Sequence, residues 1–287
     1  MKCMFYPEFL LLYISKHSIM KILRTLAVLL TVQFSCLYTG AQTNPDFSAY
    51  SYETFIHNGD TLRYRMLEPV GYDSQKPYPL IVFLHGSGER GTDNAAQLLH
   101  GGSLVLKDSL RQQFPTFVIF PQCPPDSMWA SMKVTRDSTG KAIKREFSDG
   151  TDRQSTPGLL VKLLVDSLVK MEKVNSKQVY LGGLSLGGIG TYDMLARYPK
   201  MWAAAFPICG IGNVSNAAKF AKVPLWIFHG GADNVVPVSG SRNYVEALKK
   251  LKADVKYSEY PGVGHNSWDN AFAEPDLLPW IFSHKKK

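Results

Sequence analysis

The sequence predicts an α/β fold in which a mostly parallel sheet carries helices on both faces. Short runs of consecutive apolar residues, such as residues 80–84, are typical of strands that are buried on both faces. Stretches with a helical apolar period alternate with these runs, which favours parallel strands joined by helices. Several runs end in glycine-rich loops, at the sheet edge where parallel sheets bind their ligands.

The first predicted element is a β-hairpin at the start of the fold. Residues 50–57 and 61–68 alternate in strand fashion around Asn58-Gly59-Asp60, which is a strong hairpin-turn signal. The buried strand at residues 80–84 comes next. A rough helical period over residues 94–112 then predicts a helix.

A long polar connection follows the next strand. Residues 116–120 are predicted to form that strand, and residues 123–155 a long loop or lid insertion with a turn signal at residues 138–140. A connection of this length inside a compact domain usually serves as a lid or a binding loop. The alternative is a disordered or decorative insertion.

The second half of the chain alternates regularly between helices and strands. Thr156-Pro157 is a good helix start, a cap followed by a first-turn proline, and an apolar face continues to Met171. The remaining predicted elements are, in order, a strand from residue 178, a helix at 186–197, strands at 203–208 and 225–228, a helix at 239–251, a strand at 255–260 and a short helix at 270–282.

Residues 1–41 are predicted to be a secretory signal and not part of the fold. From Met20 the chain has a basic start, an apolar run at residues 26–32 and small residues up to Ala41, where cleavage is expected. Met20 is then the expected true start. The apolar run is too short for a comfortable membrane span. We therefore expect a secreted or periplasmic protein, without stable membrane insertion, whose single domain covers residues 42–287.

Charge and cysteine usage argue against several kinds of partner. The net charge of +8 includes basic residues of the signal region and the three lysines at residues 285–287. No basic helix interleaved with aromatic residues accompanies them, so a nucleic-acid partner is not expected. The chain has no C-x-x-C motif or Cys/His ligand spacing, so the sequence predicts neither a metal nor a cofactor.

Two cysteines remain after removal of the signal, Cys123 and Cys209. Each follows a predicted strand, and in the usual strand order these two strands are three positions apart. At ~4.8 Å per strand the separation is ~14 Å, beyond the ~7 Å that a disulfide allows between Cα atoms. We expect two free, buried thiols.

The segment at residues 178–188 has the form of a nucleophile elbow. A strongly β-forming run ends in glycines, presents Ser185 between Gly183 and Gly187, and passes directly into a helical pattern. This is the G-x-S-x-G pattern, in which a strained serine sits at a sharp turn from strand to helix. Glycines are needed because a side chain on either side would collide with the turn.

An acid and a base follow the serine in the order Ser185, Asp233, His265. This is the order of triad residues in the α/β-hydrolase fold. His265 is predicted to take the serine proton, and Asp233 to orient the imidazole. Asp269 and Asp193 are alternative acids. Asp193 sits in a helix and is expected to be an exposed or capping group.

The oxyanion hole is expected to use two backbone donors, the N–H groups of Leu186 and Ser87. Ser87 belongs to the glycine-rich loop that follows the strand at residues 80–84. His85 and His229 each precede a glycine at a strand end, which indicates structural histidines bonded to loop backbone. Glu89-Arg90 form either a surface ion pair or a pair that orders this loop.

Five motifs together resemble the secreted carbohydrate esterases of the feruloyl- and acetylxylan-esterase type, within the esterase/phospholipase-like α/β-hydrolases. The resemblance covers residues 50–283. It implies that the triad is Ser185, Asp233 and His265, and that the long loop carrying Trp129 binds a plant-cell-wall ester, with Trp129 and Gln122 as substrate-binding residues. The motifs are Leu84-His85-Gly86-Ser87-Gly88-Glu89-Arg90-Gly91, Phe120-Pro121-Gln122-Cys123-Pro124, Gly183-Leu184-Ser185-Leu186-Gly187-Gly188, His229-Gly230-Gly231-Ala232-Asp233 and Gly264-His265.

The sequence therefore predicts an exported serine esterase that forms an acyl-enzyme, with feruloyl or acetyl esters on plant polysaccharides as substrates. One alternative is a peptidase or a thioesterase/phospholipase-like hydrolase on the same fold. Another is a non-catalytic binding protein on a hydrolase scaffold, which an intact triad disfavours because a binder needs neither acid nor base.

Overall fold

The computed structural model describes residues 45–140 and 142–287; the predicted signal lies outside them. Within these residues, ten strands form an eight-stranded sheet and a two-stranded one. The strands are β1 (Ser51–His57), β2 (Asp60–Leu67), β3 (Tyr78–Leu84), β4 (Phe117–Gln122), β5 (Met132–Arg136), β6 (Ala142–Phe147), β7 (Val174–Leu184), β8 (Ala204–Ile208), β9 (Leu225–Gly230) and β10 (Val255–Tyr260). The α-helices are α1 (Asp108–Gln113), α2 (Thr156–Lys170), α3 (Leu186–Arg197), α4 (Ser239–Lys250), α5 (Trp268–Ala273) and α6 (Leu277–Ser283).

The large sheet is mostly parallel, as predicted, in the order β1-β2-β4-β3-β7-β8-β9-β10. Strands β4, β3, β7, β8, β9 and β10 run parallel, and the β1–β2 hairpin adds to β4 in antiparallel fashion. Its turn, Asn58-Gly59, has positive φ angles of 49° and 86°, which these two residue types accept most readily. The predicted N-terminal hairpin is confirmed.

Two apolar cores lie on opposite faces of the sheet. Strand β3 shows why its sequence is apolar throughout: Leu80 and Val82 pack into one core, whereas Ile81 and Phe83 pack into the other. Residues of α2, α3 and α4 belong to the first core and residues of α5 and α6 to the second. Helices therefore cover both faces, as predicted.

Three expectations about individual elements are corrected. Residues 94–112 do not form one helix, because Gly101, with a φ of +91°, separates the 3-10 turns Ala96–Leu98 and Leu104–Leu106, and α1 begins only at Asp108. The predicted last helix is two, α5 and α6, separated by Glu274-Pro275. Residues 123–155 contain the β5–β6 hairpin, whose turn closes with a hydrogen bond from Gly140 N–H to Asp137 O of 3.0 Å.

The start of helix α2 differs from the prediction by one residue. The cap of α2 is Ser155, whose Oγ accepts the Gly158 N–H, so Thr156 is the first helical residue and not the cap.

Cys123 and Cys209 are free and buried, as expected. Their strands, β4 and β8, lie three positions apart in the sheet. Among the described residues, no helix combines the length and the apolar content needed to cross a bilayer.

Candidate active site

Ser185 occupies a strained turn between β7 and α3. Its φ of 51° and ψ of −112° lie outside the regions that a serine normally adopts, at a cost of about 1–3 kcal/mol. The flanking glycines make the turn possible. A Cβ on Gly187 would lie 2.8 Å from the His85 carbonyl oxygen, and one on Gly183 would lie 2.6 Å from the Gly187 carbonyl carbon. The structure thus has the predicted elbow, in which the strand turns sharply into the helix at Ser185.

The structure brings Ser185, His265 and Asp233 together at the carboxyl edge of the sheet. His265 Nε2 lies 2.9 Å from Ser185 Oγ, and His265 Nδ1 lies 2.7 Å from Asp233 Oδ2. Because a carboxylate only accepts hydrogen bonds, Nδ1 carries the proton and donates a hydrogen bond to Asp233. Nε2 is then free to accept the proton of the serine hydroxyl, as a general base requires.

Asp233 is held as a carboxylate by four polar contacts. Its Oδ1 accepts the backbone N–H groups of Val235 and Val236, each at 2.9 Å, and its Oδ2 accepts from His265. Burial by itself would raise the pKa of this fully buried side chain. The hydrogen bonds from His265 and the two backbone donors outweigh burial and lower the pKa below its ordinary value.

The fourth contact of Asp233 comes from His229, a residue that the sequence analysis did not connect with the triad. His229 is completely buried at the end of β9, and its Nε2 lies 3.0 Å from Val236 O and 3.2 Å from Asp233 Oδ2. Nδ1 accepts from Ser241 Oγ at 2.8 Å. Burial lowers the pKa of His229, so the ring is neutral and its single N–H faces the loop and the acid. The spacing His-Gly-x-x-Asp, which places His229 four residues before Asp233, is the feature of the sequence that could have indicated this contact.

The loop after β3 lies against the nucleophile. A Cβ on Gly86 would be 3.6 Å from Ser185 Cβ. Ser87 begins a short 3-10 turn and Leu186 begins α3, so neither backbone N–H has a partner within its own turn. Arg90 donates from Nε to Ser87 O at 3.1 Å and from Nη1 to Ser127 O at 3.4 Å. Arg90 thus orders this loop, whereas the basic side chains near Glu89 are His85 and His100, so the surface ion pair is not the arrangement found.

His85 holds the start of this loop in place. Its Nδ1 donates to Gly86 O at 2.6 Å, and its Nε2 accepts the backbone N–H of Cys123 at 3.0 Å. These two partners fix a neutral tautomer, and burial lowers the pKa of His85 to about 4. These contacts with loop backbone fit the structural role that the sequence predicts for His85.

Trp129 and Gln122 are buried, and their polar groups are already hydrogen-bonded within the protein, which corrects their predicted role as substrate-binding residues. Trp129 is fully buried and donates from Nε1 to His85 O at 3.0 Å. Gln122 is buried too, and its amide accepts the N–H of Asn94 at 2.7 Å and donates to Asp93 Oδ1 at 2.7 Å. Both side chains instead support the loop that follows β3.

The alternative acids lie elsewhere. Asp193 is buried and pairs with Arg197 at 2.8 Å, so it is not the exposed or capping group that its helix position suggested. Asp269 is exposed and accepts from Asn266 Nδ2 at 3.4 Å. Both ring nitrogens of His265 are already taken by Ser185 and Asp233, which leaves neither alternative a role in the triad.

One group of side chains near the triad has the composition of a metal site. The ligand atoms of Cys209, Asp233 and His265 all lie within 4.8 Å of one another. Two of the three are already joined by the 2.7 Å hydrogen bond of the triad. Burial raises the pKa of the Cys209 thiol to about 12, so this side chain is a poor ligand in its protonated form. The arrangement fits acid–base chemistry better than metal binding.

Known proteins with similar sequences include esterases and thioesterases. The model of the phospholipase/carboxylesterase family matches residues 68–274. Acyl-protein thioesterase 1 of Gibberella zeae is 26% identical over 214 residues, which are 65% of this chain and 83% of that protein. The bifunctional acetylxylan esterase/xylanase XynS20E of Neocallimastix patriciarum is 35% identical over only 77 residues, 26% of this chain and 11% of that protein.

Solved structures give the same fold. A thermostable esterase superposes with a TM-score of 0.75 at 32% identity, covering 84% of this chain and 64% of its own. This chain therefore spans slightly less than two thirds of that esterase. A ferulic acid esterase of the anaerobic fungus Anaeromyces mucronatus superposes with a TM-score of 0.56 at 15% identity, covering 84% of this chain and 93% of its own. The second likeness concerns the fold alone.

Proposed function

The chain belongs to the phospholipase/carboxylesterase family, and we propose that within it this protein is an exported esterase acting on feruloyl or acetyl esters of plant polysaccharides. The coarser description, a serine esterase with the α/β-hydrolase fold, follows from the family and from the thermostable esterase that superposes on the chain. The observation that carries the proposal is the hydrogen-bonded series Ser185–His265–Asp233 at the end of β7.

The geometry supports a two-step hydrolysis. As Ser185 Oγ attacks the ester carbonyl carbon, its proton passes to His265 Nε2, and Asp233 stabilises the imidazolium that forms. The carbonyl oxygen becomes an oxyanion that can accept from the N–H groups of Leu186 and Ser87, where each donor is worth about 2.7–4 kcal/mol.

The tetrahedral intermediate collapses when the C–O bond to the alcohol breaks. His265 returns the proton to the departing alkoxide, and the acyl group remains bonded to Ser185 Oγ. Water then gives a proton to His265 and attacks the acyl carbon. The bond between the acyl carbon and Ser185 Oγ then breaks as His265 returns this proton to Oγ, so the carboxylic acid leaves and the Ser185 hydroxyl is restored.

Support for a glycan ester is the resemblance of the five motifs to secreted carbohydrate esterases, together with the predicted signal at residues 1–41. The main competing proposal is a thioesterase, which the Gibberella zeae relative favours. The same triad would serve both, because a thiolate is an even better leaving group than an alkoxide. Substrate preference thus separates the two.

The test is an activity panel on the purified protein. Methyl ferulate, acetylated xylan and p-nitrophenyl acetate should be hydrolysed more efficiently, by kcat/KM, than an S-acyl thioester of matched acyl chain. Ser185→Ala should lose activity on the order of 10⁶ in kcat. Ser283→Ala, a serine at the end of α6, is the control and should keep full activity. A marked preference for the thioester would contradict the proposal, and an active Ser185→Ala variant would contradict the mechanism.

A further inference from the structure

We propose that Glu89, His100 and Trp268 form a subsite that binds a hydroxyl group of the sugar carrying the ester. This inference rests on the proposed function, since it assigns the alcohol part of that substrate to particular residues. None of the three side chains takes part in the acid–base chemistry described above.

The three side chains continue from the catalytic base. The ring of Trp268 packs edge-on against His265, with centroids 5.5 Å apart and an interplanar angle of 86°. His100 also packs against Trp268, with ring centroids 5.0 Å apart and an interplanar angle of 44°. His100 Nε2 in turn lies 3.5 Å from Glu89 Oε1.

The series returns to the nucleophile through the loop after β3. A Cβ on Gly86 would lie 3.0 Å from Glu89 Oε2 and 3.6 Å from Ser185 Cβ. The side chains therefore form a closed circuit that starts at Ser185, passes through His265, Trp268, His100 and Glu89, and ends at Gly86. This circuit borders one side of the reacting serine.

Glu89 is the unusual member of the circuit. The residue is 6% exposed, yet its Oε2 has no hydrogen-bond partner in the described part of the chain. His85 Nδ1 is 3.9 Å away and already donates to Gly86 O. A buried acceptor without a donor costs about 1–3 kcal/mol, and native proteins keep few of them. A donor supplied by a bound molecule would explain why this one is kept.

The chemistry of the circuit favours a sugar as that molecule. A carboxylate only accepts hydrogen bonds, and the imidazole of His100, whose side chain is 29% exposed, can bond to the same hydroxyl group from the outer side. The half-buried indole of Trp268 offers a flat apolar surface for the C–H face of a ring. A long alkyl chain would leave Glu89 without a donor, so the subsite disfavours lipid esters.

The experiment compares two acetate esters that share the acyl group and differ in the alcohol: a monoacetylated methyl xyloside and cyclohexyl acetate. The wild-type protein should prefer the xyloside ester in kcat/KM. Glu89→Gln and His100→Phe should each reduce this preference by about 10- to 100-fold, since hydrogen bonds to charged groups contribute about 1.5–3 kcal/mol. Hydrolysis of cyclohexyl acetate should stay within a few-fold of wild type in both variants.

His284→Phe is the matched control. His284 packs edge-on against Trp280 with ring centroids 4.7 Å apart, a pair like His100 and Trp268 but next to α6 and remote from the triad. It should leave the preference unchanged. Thermal unfolding checks the fold of each variant, and His100→Phe carries the test if Glu89→Gln does not fold.

Two results would overturn the proposal in distinguishable ways. A wild-type protein that hydrolyses both esters equally well, or variants that slow both esters by the same factor, would show that the three residues only support the structure. A wild-type protein that hydrolyses neither acetate but is active on a thioester would contradict the proposed function, and the sugar subsite with it.

Discussion

The same five-residue pattern, His-Gly-x-x-acid, follows two strands of the sheet and serves two different purposes. Residues 85–89 follow β3 and residues 229–233 begin at the end of β9. Both histidines are buried, and in both segments a ring nitrogen faces the acid four residues later, at 3.9 Å in the first segment and 3.2 Å in the second. The local sequence does not distinguish them.

The two acids differ in what surrounds them. Asp233 has four polar contacts, one of them with His265. Glu89 has His100 as its nearest basic neighbour and one oxygen with no donor in the described chain. Position within the sheet decides which acid meets His265, because β9 ends next to β10 and the loop that carries His265.

The largest expected difference between the two segments is catalytic. Asp233→Asn should lower kcat for p-nitrophenyl acetate by about 10⁴-fold, because the imidazole loses the partner that fixes its tautomer. Glu89→Gln should leave the same rate within a few-fold, since Glu89 does not contact His265. Steady-state kinetics on both variants test this. Equal losses of kcat would show that the two acids do not differ in their effect on the reaction.

The second difference is steric and concerns the glycine after each histidine. A Cβ on Gly230 would meet backbone, lying 2.5 Å from Val263 O, whereas a Cβ on Gly86 would meet the end of a side chain, 2.8 Å from Leu184 Cδ1. Gly230→Ala should therefore destabilise the fold by more than about 3 kcal/mol and displace the loop of His265, and Gly86→Ala by less. Urea unfolding of the two variants measures the difference. A more stable Gly230→Ala variant would contradict the geometry.

The smallest effect is the pH dependence of stability that the buried histidines cause. The pKa of His85 is about 4 in the folded protein against 6.5 for an unperturbed side chain. Between these values the unfolded chain binds a proton that the folded protein does not, so stability is complete above pH 6.5 and falls as the pH drops to 4. The loss is about 3 kcal/mol at most.

His85→Gln should flatten this fall in the free energy of unfolding. A slope should remain because the pKa of His229 is lowered too, by burial. His57→Gln, at an exposed position of β1, is the control and should leave the pH dependence as it is. An unchanged slope in His85→Gln would mean that His85 does not resist protonation in the fold.

Most of the fold could be predicted because its signals are local. Apolar runs, the Asn58-Gly59 turn and the helical apolar faces each act over a few residues. The failures came where a local pattern competes with its surroundings. The rough helical period of residues 94–112 yields to Gly101, and Trp129 in a polar segment is drawn into the core, where its indole N–H reaches His85 O.

The sequence by itself determined the elbow, the parallel sheet and the chain order of serine, acid and base. These depend on strand-forming runs and on glycines that a tight turn requires. The tertiary structure alone decided which acid meets His265, that His229 supports this acid, and that Glu89 is buried with one oxygen lacking a partner among the residues that the structure describes. The physical reason is that hydrogen bonds and burial depend on residues that are distant in sequence, as far apart as the 80 positions between Ser185 and His265.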